Sequence, residues 1–251
     1  MAAILPERKK QILDLLADDS EISVTELAER FGVTAVTVRA DLASLEEEGF
    51  IVRTHGGAMP AFHPKIIERM RAKKEIKAAI AKAAVQLIDD GDTVIISAGT
   101  TTALIPKYLL GKRDIHIVTN NTLLLTYARA NPQLRVTLVG GEFRPAEEGI
   151  VGPLAMQAVE QFHVAKAFVG IDGASAKQGF TANSIESADF VRKMAGQADR
   201  VYAVGESSKF NNAGFAKILP FSGVDALITD AFLHARFEQS FTDMNVKVIK
   251  A

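Results

Sequence analysis

Residues 23–42 read SVTELAERFGVTAVTVRADL, and this stretch decides the fold of the N-terminal part of the chain. Ser23 stands just before an apolar-periodic run and Glu26 follows it by three positions, which is the register of a capping box at a helix start. Gly32 ends that helix, and Thr34 is placed to cap the next one. Two helices joined by so short a turn predict a helix-turn-helix.

The sequence on either side of this stretch extends the pattern. Residues 7–17 have the apolar spacing of an amphipathic helix, and a similar pattern runs over residues 35–48. After Gly49, residues 50–55 read as a strand, and Gly56-Gly57 turns the chain back. Three helices followed by a short hairpin predict a winged helix-turn-helix.

The helix over residues 35–48 is the one expected to enter the DNA major groove. Its apolar positions Val38, Leu42 and Leu45 share one face, which we expect to be buried. A guanidinium on the other face can bond a guanine edge or a phosphate, threonine hydroxyls can bond either, and apolar side chains can contact a thymine methyl. The predicted contacts from this helix and its cap are Thr34, Ala35, Val36, Thr37 and Arg39.

The charge distribution supports this interpretation only in part. Residues 1–60 hold six Lys/Arg and eleven Asp/Glu, a net charge of −5, which argues against purely electrostatic affinity for DNA. A three-helix unit also occurs in protein–protein modules, and Arg39 has an alternative role in an ion pair with Glu46 or Asp41. Residues 65–82 hold seven Lys/Arg and two Asp/Glu, a net charge of +5, and begin a predicted helix over 66–87.

Composition excludes several classes of protein. The chain has 251 residues, of which 48% are hydrophobic and 24% are charged, and a formal net charge of −1. These are ordinary values for a globular protein. The absence of cysteine excludes disulfides, zinc fingers and thiol catalysis. Because no apolar run approaches eighteen residues and no secretory signal is evident, we expect a cytoplasmic protein that does not contact membranes.

From residue 76 onward, continuous apolar strands alternate with helical segments. This pattern predicts a mostly parallel α/β sheet that is covered on both faces. The expected organisation is therefore a DNA-binding domain over residues 1–60, a linker over 61–75 and an α/β effector domain over 76–251.

Polar or glycine-rich turns follow several of the predicted strands, where ligands of parallel sheets bind. Residues 99–102 are the most informative, because glycine permits close approach and the threonine hydroxyls with free amides at a helix N-terminus make an anion site. Lys209 is a candidate countercharge and Asp172 a candidate acceptor for sugar hydroxyls. Each of these features also has an interpretation without a ligand: the threonine turn can be an ordinary helix cap, and Lys209 can be a solvated surface lysine. The predicted effector contacts are Ser97, Gly99, Thr100, Thr101, Thr102, Asn120, Gly141, Asp172 and Lys209.

Short motifs between Val24 and Ala58 carry a family resemblance. They are Val24-Thr25-Glu26-Leu27-Ala28, Phe31-Gly32-Val33-Thr34, Thr37-Val38-Arg39-Ala40-Asp41-Leu42, Leu45-Glu46, Gly49 and Arg53-Thr54-His55-Gly56-Gly57-Ala58. In these residues the chain resembles the DeoR family of bacterial sugar-metabolism repressors. The resemblance implies binding to double-stranded operator DNA and adds Arg53 and His55 to the predicted contacts. Ala40 stands where the family usually has a second arginine, so one phosphate contact is missing.

The C-terminal part carries the same resemblance. Its matching pieces are Gly99-Thr100-Thr101-Thr102, Thr119-Asn120, Gly140-Gly141, Gly152, Phe168-Val169-Gly170, Gly179-Phe180-Thr181 and Ser207-Ser208-Lys209-Phe210. The family's effector domain is similar to ribose-5-phosphate isomerase, which implies a phosphorylated sugar or a related metabolite as effector and no other cofactor. Ser97 and Glu206 stand where members usually have aspartate, so the effector need not be that of better-matched relatives. Since such regulators normally read two half-sites, we expect a homodimer or homotetramer.

Three functions compete on these observations. A ligand-controlled repressor accounts for both halves of the chain and is the predicted function. A sugar-phosphate isomerase with an appended domain needs a positioned carboxylate base, for which only Asp172 and Glu186 are available without a paired acidic motif. A pure interaction protein leaves the predicted anion site unexplained. We therefore expect no catalytic residues, no metal and no enzymatic activity.

Overall fold

The computed structural model describes residues 5–54 and 57–251 and contains two compact units. The first comprises Met1–Lys74 together with Pro145–Glu147, and the second comprises Glu75–Arg144 and Glu148–Ala251. Among the helices of the described residues, none is long and apolar enough to cross a membrane.

The first unit consists of three helices, a hairpin and a further helix. Its elements are α1 (Glu7–Asp18), α2 (Val24–Phe31), α3 (Ala35–Glu47), β1 (Ile51–Arg53), β2 (Ala58–Pro60) and α4 (Pro64–Arg71). Strands β1 and β2 pair in antiparallel fashion, with Val52 opposite Met59. The helix-turn-helix and the hairpin predicted from the sequence are therefore confirmed.

Local capping fixes the turn between α2 and α3. The Ser23 hydroxyl accepts a hydrogen bond from the Glu26 amide at 3.2 Å, and the Glu26 carboxylate accepts one from the Ser23 amide at 2.8 Å. These two bonds form the predicted capping box. The Ser23 side chain, followed by the Ser23 amide, stabilises the charged Glu26 carboxylate and holds its pKa below its ordinary value. Gly32 then takes the left-handed conformation that ends α2, with φ at 62°. The Thr34 side chain caps α3 by accepting from the Thr37 amide.

The core of the first unit gathers apolar side chains from all of its helices. The fully buried members include Leu13, Leu16, Leu27, Val38, Leu45 and Ile67. Ile67 lies on α4, so residues expected to form a linker instead belong largely to this unit. No sequence pattern indicates this, because the short α4 reads as the start of a longer helix.

The helix predicted over residues 66–87 is interrupted, so that prediction is wrong in its continuity. Helix α4 ends at Arg71, and α5 (Lys74–Val85) begins after an extended Ala72 and a Lys73 with φ at +53°. The apolar stripe of α4 packs in the first unit, whereas the stripe of α5 is buried in the second. In a continuous helix the apolar stripes of α4 and α5 would be held at a fixed angle to each other. Because the helix is interrupted, each stripe can pack within its own unit.

The second unit continues after α5 as an α/β fold. Its strands are β3 (Thr93–Ile96), β4 (Ile115–Thr119), β5 (Leu134–Leu138), β6 (Glu142–Arg144), β7 (Gly149–Val151), β8 (Val164–Gly170), β9 (Gly173–Ser175), β10 (Gly179–Ala182), β11 (Ala198–Val204), β12 (Ala216–Lys217), β13 (Ala226–Thr229) and β14 (Lys247–Lys250). Its remaining α-helices are α6 (Leu124–Ala128), α7 (Pro153–Val159), α8 (Ile185–Ala195) and α9 (Ala235–Asp243).

A seven-stranded sheet organises this unit, in the order β14-β13-β11-β8-β3-β4-β5. Every neighbouring pair in it is parallel, as predicted from the apolar runs. Central residues such as Ile95 and Phe168 are completely buried. Strand β3 lies between β4 and β8, so the chain winds outward from β3 in both directions. This reversal is the point at which open parallel sheets usually bind ligands.

Smaller elements surround the sheet and were not predicted. Strands β12, β10 and β9 form a three-stranded antiparallel sheet, and β6 pairs with β7. Helix α9 buries Phe237 and Phe241, one helical turn apart, against a cluster of aromatic rings.

The helix expected after Thr102 is a 3₁₀ helix (Thr102–Tyr108) rather than an α-helix. Pro106 lies inside it, and proline removes an amide donor and crowds the preceding turn. The segment therefore does not supply the α-helix whose N-terminus was expected to attract an anion. Any anion site at residues 97–102 depends on the loop itself.

Candidate nucleic-acid interface and effector site

Helix α3 presents the surface predicted for DNA. Its inward side chains Val38 and Leu45 are completely buried, as the periodicity predicts. On the opposite side, Val36 and Arg39 are exposed, and Val36 retains 71% of its accessible surface. Ala40, the position of the missing family arginine, is also exposed. The first two turns of α3 therefore offer a free surface of the kind that enters a major groove.

The two threonines at the start of α3 are bonded to each other. The hydroxyl oxygens of Thr34 and Thr37 lie 2.9 Å apart, and the Thr34 oxygen also accepts from the Thr37 amide. Both were predicted to contact DNA. In this structure their hydroxyls first serve the helix cap, which fixes where α3 begins.

Arg39 forms neither of the ion pairs proposed as its alternative role. Asp41 accepts a hydrogen bond from Arg8 at 2.6 Å, and Glu46 pairs with Arg53 at 3.3 Å. The hydrogen bond to Asp41, followed by its charge, raises the pKa of Arg8. No ion pair to Arg39 is found within residues 5–54 and 57–251, so its guanidinium is available to a ligand.

Ion pairs hold several of the acidic side chains on α3 and at its C-cap. Asp41 and Glu46 are paired as described, and Glu48 pairs with Arg71 of α4. The pairs made by Arg8 and Arg53 leave the net charge of −5 over residues 1–60 unchanged, because both arginines are already counted in it, whereas Arg71 lies outside that range and offsets one further charge. Arg53, predicted as a DNA contact, is held by Glu46 on the hairpin side of α3, and His55 lies outside the described residues.

The candidate effector site is the threonine loop, residues 97–102, at the carboxyl end of β3. Hydrogen bonds tie this loop to both neighbouring strands. Gly170, at the end of β8, donates its amide hydrogen to the Ser97 hydroxyl at 2.8 Å. Asn120, just after β4, accepts from the Ala98 amide at 2.8 Å. The structure therefore brings Ser97, the loop and Asn120 together, as predicted from their places after parallel strands.

Two of the predicted contacts mainly support the threonine loop. The Thr102 hydroxyl is completely buried and lies 2.8 Å from the Ser97 carbonyl oxygen and 3.0 Å from that of Gly99. Asn120 uses its amide group as well, donating to the Ile150 carbonyl at 2.9 Å. These side chains hold the loop in shape, a role that their position after a strand did not reveal.

The rest of the loop carries polar groups that lack protein partners. Residues Thr100 and Thr101 are only 7% and 9% exposed, and their hydroxyls have no hydrogen-bond partner among the described residues. The backbone amides of Gly99, Thr100 and Thr101 likewise donate to no acceptor in that part of the chain. Converging unpaired donors are what a phosphate or another oxyanion requires. Neither hydroxyl oxygen is fully enclosed, so a ligand can reach both.

Glycine has a packing role at position 141. Its φ is +153°, and a Cβ there would lie 2.7 Å from the Val151 carbonyl oxygen and 2.9 Å from the Ala155 side chain. Only glycine lets the chain pass β7 this closely. The predicted effector contact at Gly141 is therefore first a requirement of the fold.

Asp172 and Lys209 lie at the same edge of the sheet, after β8 and β11. Asp172 accepts from the Asn183 amide at 3.1 Å. Lys209 ends a short 3₁₀ helix (Ser207–Lys209), and its ammonium group has no ion-pair partner in the described ranges. No metal-binding group of three or more His, Cys, Asp or Glu side chains is found in those ranges either.

A buried ion pair beside these residues was missed by the sequence reasoning. The Lys77 ammonium of α5 lies 3.5 Å from a carboxylate oxygen of Glu206, and both side chains are less than 10% exposed. Glu206 follows β11, three positions before Lys209. A signal did exist, because Lys77 shares the helical spacing of the buried Ile80, Ala81 and Ala84. A lysine inside an apolar stripe indicates a buried partner rather than a solvated helix face.

Asp230, after β13, fixes the start of the segment that carries Lys209. Its carboxylate accepts from the Ser207 amide at 2.7 Å and from the Phe232 amide at 3.0 Å. Burial alone raises the pKa of Asp230, but these hydrogen bonds outweigh it and hold the pKa below its ordinary value.

Both parts of the chain match models of known protein families. Residues 8–61 match the model of the DeoR-like helix-turn-helix domain, and residues 72–231 match that of the DeoR C terminal sensor domain. The chain belongs to the DeoR family. It is 32% identical to the HTH-type transcriptional repressor GlcR of Bacillus subtilis (strain 168), over 92% of this chain and 90% of the relative. It is 29% identical to the HTH-type transcriptional repressor CsqR of Escherichia coli (strain K12), over 96% and 94%.

Membership of the DeoR family assigns the two units their general roles. The protein is a transcriptional regulator rather than an enzyme, with a DNA-binding domain and a sensor domain for a small-molecule effector. Among solved structures, ribose 5-phosphate isomerase A of Methanocaldococcus jannaschii is similar at a TM-score of 0.41 and 15% identity over 55% of each chain. This likeness is too weak to say anything about chemistry.

Proposed function

We propose that this DeoR-family protein is a cytoplasmic repressor of a carbohydrate-metabolism operon and that a phosphorylated sugar or related metabolite controls it. The observation that carries the proposal is the threonine loop. Its unpaired amides and the unbonded hydroxyls of Thr100 and Thr101 form an oxyanion site in a chain that also has an exposed DNA-reading helix.

The charges around the sheet edge support an anionic effector. Lys77 and Glu206 neutralise each other, which leaves the Lys209 ammonium without a paired carboxylate in the described residues. A cation at the same edge of the sheet favours an effector phosphate there, and Asp172 supplies an acceptor for sugar hydroxyls. We place the phosphate at residues 99–101 and the carbon chain toward Ser97 and Asp172.

The mode of DNA binding follows from the helix-turn-helix. Such domains read two half-sites through a two-fold dimer, so the proposed active form is a homodimer or a homotetramer on double-stranded operator DNA. The effector lowers operator affinity only if it binds the free form more tightly than the DNA-bound form, and coupling energies of this kind are typically about 1–3 kcal/mol.

Two measurements together test the proposal. A thermal-shift screen of sugar phosphates identifies the effector, because a ligand at about a hundred times its dissociation constant stabilises by roughly 2.7 kcal/mol. A gel shift with DNA upstream of the protein's own operon then measures operator affinity with and without that ligand. Release of DNA by the stabilising ligand supports the proposal. Stabilisation by no sugar phosphate, or DNA binding that is indifferent to the stabilising ligand, contradicts it.

A further inference from the structure

The exposed surface of α3 is unusually poor in groups that can read a base by hydrogen bonding. Arg39 is the one exposed charged side chain in its first two turns, since Asp41 is buried, and the Thr34 and Thr37 hydroxyls already bond each other. The remaining exposed side chains there are those of Val36 and Ala40. Direct recognition of bases by these two turns therefore depends on the Arg39 guanidinium and on an apolar surface.

Val36 dominates the apolar part of this surface. It keeps 71% of its accessible area although it is a large aliphatic residue, and it occupies the first turn of the helix. The N-terminal residues of such a helix contact base edges in the major groove. Its branched side chain has essentially one rotamer in a helix, so it presents a fixed shape with little entropy to lose.

The chemistry of the major groove then determines what Val36 can distinguish. An apolar side chain gains nothing from the donors and acceptors on base edges, and the C5 methyl of thymine is the apolar group displayed there. We propose that Val36 is a specificity-determining residue that reads a thymine methyl in each operator half-site. This inference rests on the DNA-binding part of the proposed function.

The position of Arg39 limits where that thymine lies. Arg39 follows Val36 by three residues, which is about 4.5 Å along a helix that rises 1.5 Å per residue. Successive base pairs are about 3.4 Å apart. A guanine bound by Arg39 therefore lies within about two base pairs of the thymine that contacts Val36, so the core of each half-site contains both bases.

The test uses full-length protein and its own preferred DNA. Repeated selection from a random duplex pool yields the operator, and thymines in it are then replaced by uracil one at a time. Uracil pairs like thymine but lacks the methyl. We expect one such replacement per half-site to weaken binding by the parent roughly fourfold, which corresponds to the free energy of burying one methyl group. Val36→Ala should bind the thymine operator about as weakly as the parent binds the uracil operator. Its affinity should not fall further when that thymine is replaced by uracil.

Val52→Ala is the matched control, because Val52 is also an exposed valine of the same unit, on the hairpin. It should keep the full sensitivity to uracil, and circular dichroism should show that both variants fold. The proposal is overturned if no uracil replacement weakens the parent, or if Val36→Ala remains fully sensitive. Selection that enriches no sequence contradicts the DNA-binding function itself, which separates the two failures.

Discussion

Arg8 on α1 donates a hydrogen bond to Asp41 on α3 at 2.6 Å, joining two helices whose residues are 33 positions apart. Asp41 shares α3 with Val36 and Arg39 but points to the opposite side, where it is buried. The pair thus fixes the side of α3 that faces away from the proposed DNA surface.

We expect Arg8→Gln and Asp41→Asn each to lower the melting temperature, with the double variant losing less than the sum of the two. Residues in direct contact couple in this way. Thermal unfolding of the four proteins measures the coupling. The exposed Lys10–Glu68 pair, at 3.8 Å, is the matched control and should give additive effects. Additivity at Arg8 and Asp41 as well would show that their bond does not join the helices.

Ala40→Arg should strengthen operator binding. Ala40 is exposed next to Arg39, and an arginine there supplies one more phosphate contact. The slope of log affinity against log salt concentration should steepen by about 0.9. Gel shifts at several salt concentrations measure this slope, with Ala43→Arg as a control one turn further along the exposed side. A slope that stays at the parent's value would mean that position 40 does not approach the DNA backbone.

Thr102→Val should destabilise the second unit, whereas Thr101→Val should not. The Thr102 hydroxyl donates to the Ser97 and Gly99 carbonyls. Leaving a buried acceptor without its hydrogen bond lowers the free energy of unfolding by roughly 1–3 kcal/mol. Thr101 has no such partner in the described residues, so its variant should stay within about 0.5 kcal/mol of the parent. Denaturant unfolding compares the two. Equal stabilities would contradict the separate roles given to these neighbours.

Asp230 should contribute to acid sensitivity. Its folded-state pKa lies below the unfolded value of about 3.9, so its contribution is complete above that pH and is lost as the pH falls through the lower, folded-state pKa. We expect the free energy of unfolding of Asp230→Asn to fall less steeply than that of the parent below about pH 4. Parallel curves for the two proteins would show that the Ser207 and Phe232 amides do not stabilise the charged form.

The sequence predicts the parts of this molecule that short-range patterns encode. The capping box at Ser23, the turn at Gly32 and the buried face of α3 all depend on neighbours within one or two turns. The parallel sheet follows from its apolar runs. By contrast, β9, β10 and β12 are two to four residues long and pair across distant loops, so no local period marks them.

The sequence likewise predicts part of the candidate site and not the rest. Its location follows from polar turns after parallel strands, which sequence reasoning can order. The hydrogen-bond and ion-pair partners of each side chain cannot be predicted in this way, because they come from elements that are distant in the sequence. Thr102 and Thr101 are adjacent and chemically identical, yet one is fully bonded to the loop and the other is not. Lys77 and Glu206 meet only because the fold brings α5 to the end of β11.

The most direct test of the account is operator affinity across a titration of the sugar phosphate that stabilises the protein, for the parent and Thr101→Val. Removing the unpaired Thr101 hydroxyl should leave affinity without ligand unchanged and raise the ligand concentration for half-release at least tenfold. Thr126→Val, an exposed threonine of α6, should behave like the parent. Release of DNA from Thr101→Val at the parent's ligand concentration would contradict the assignment of the threonine loop as the site that controls DNA binding.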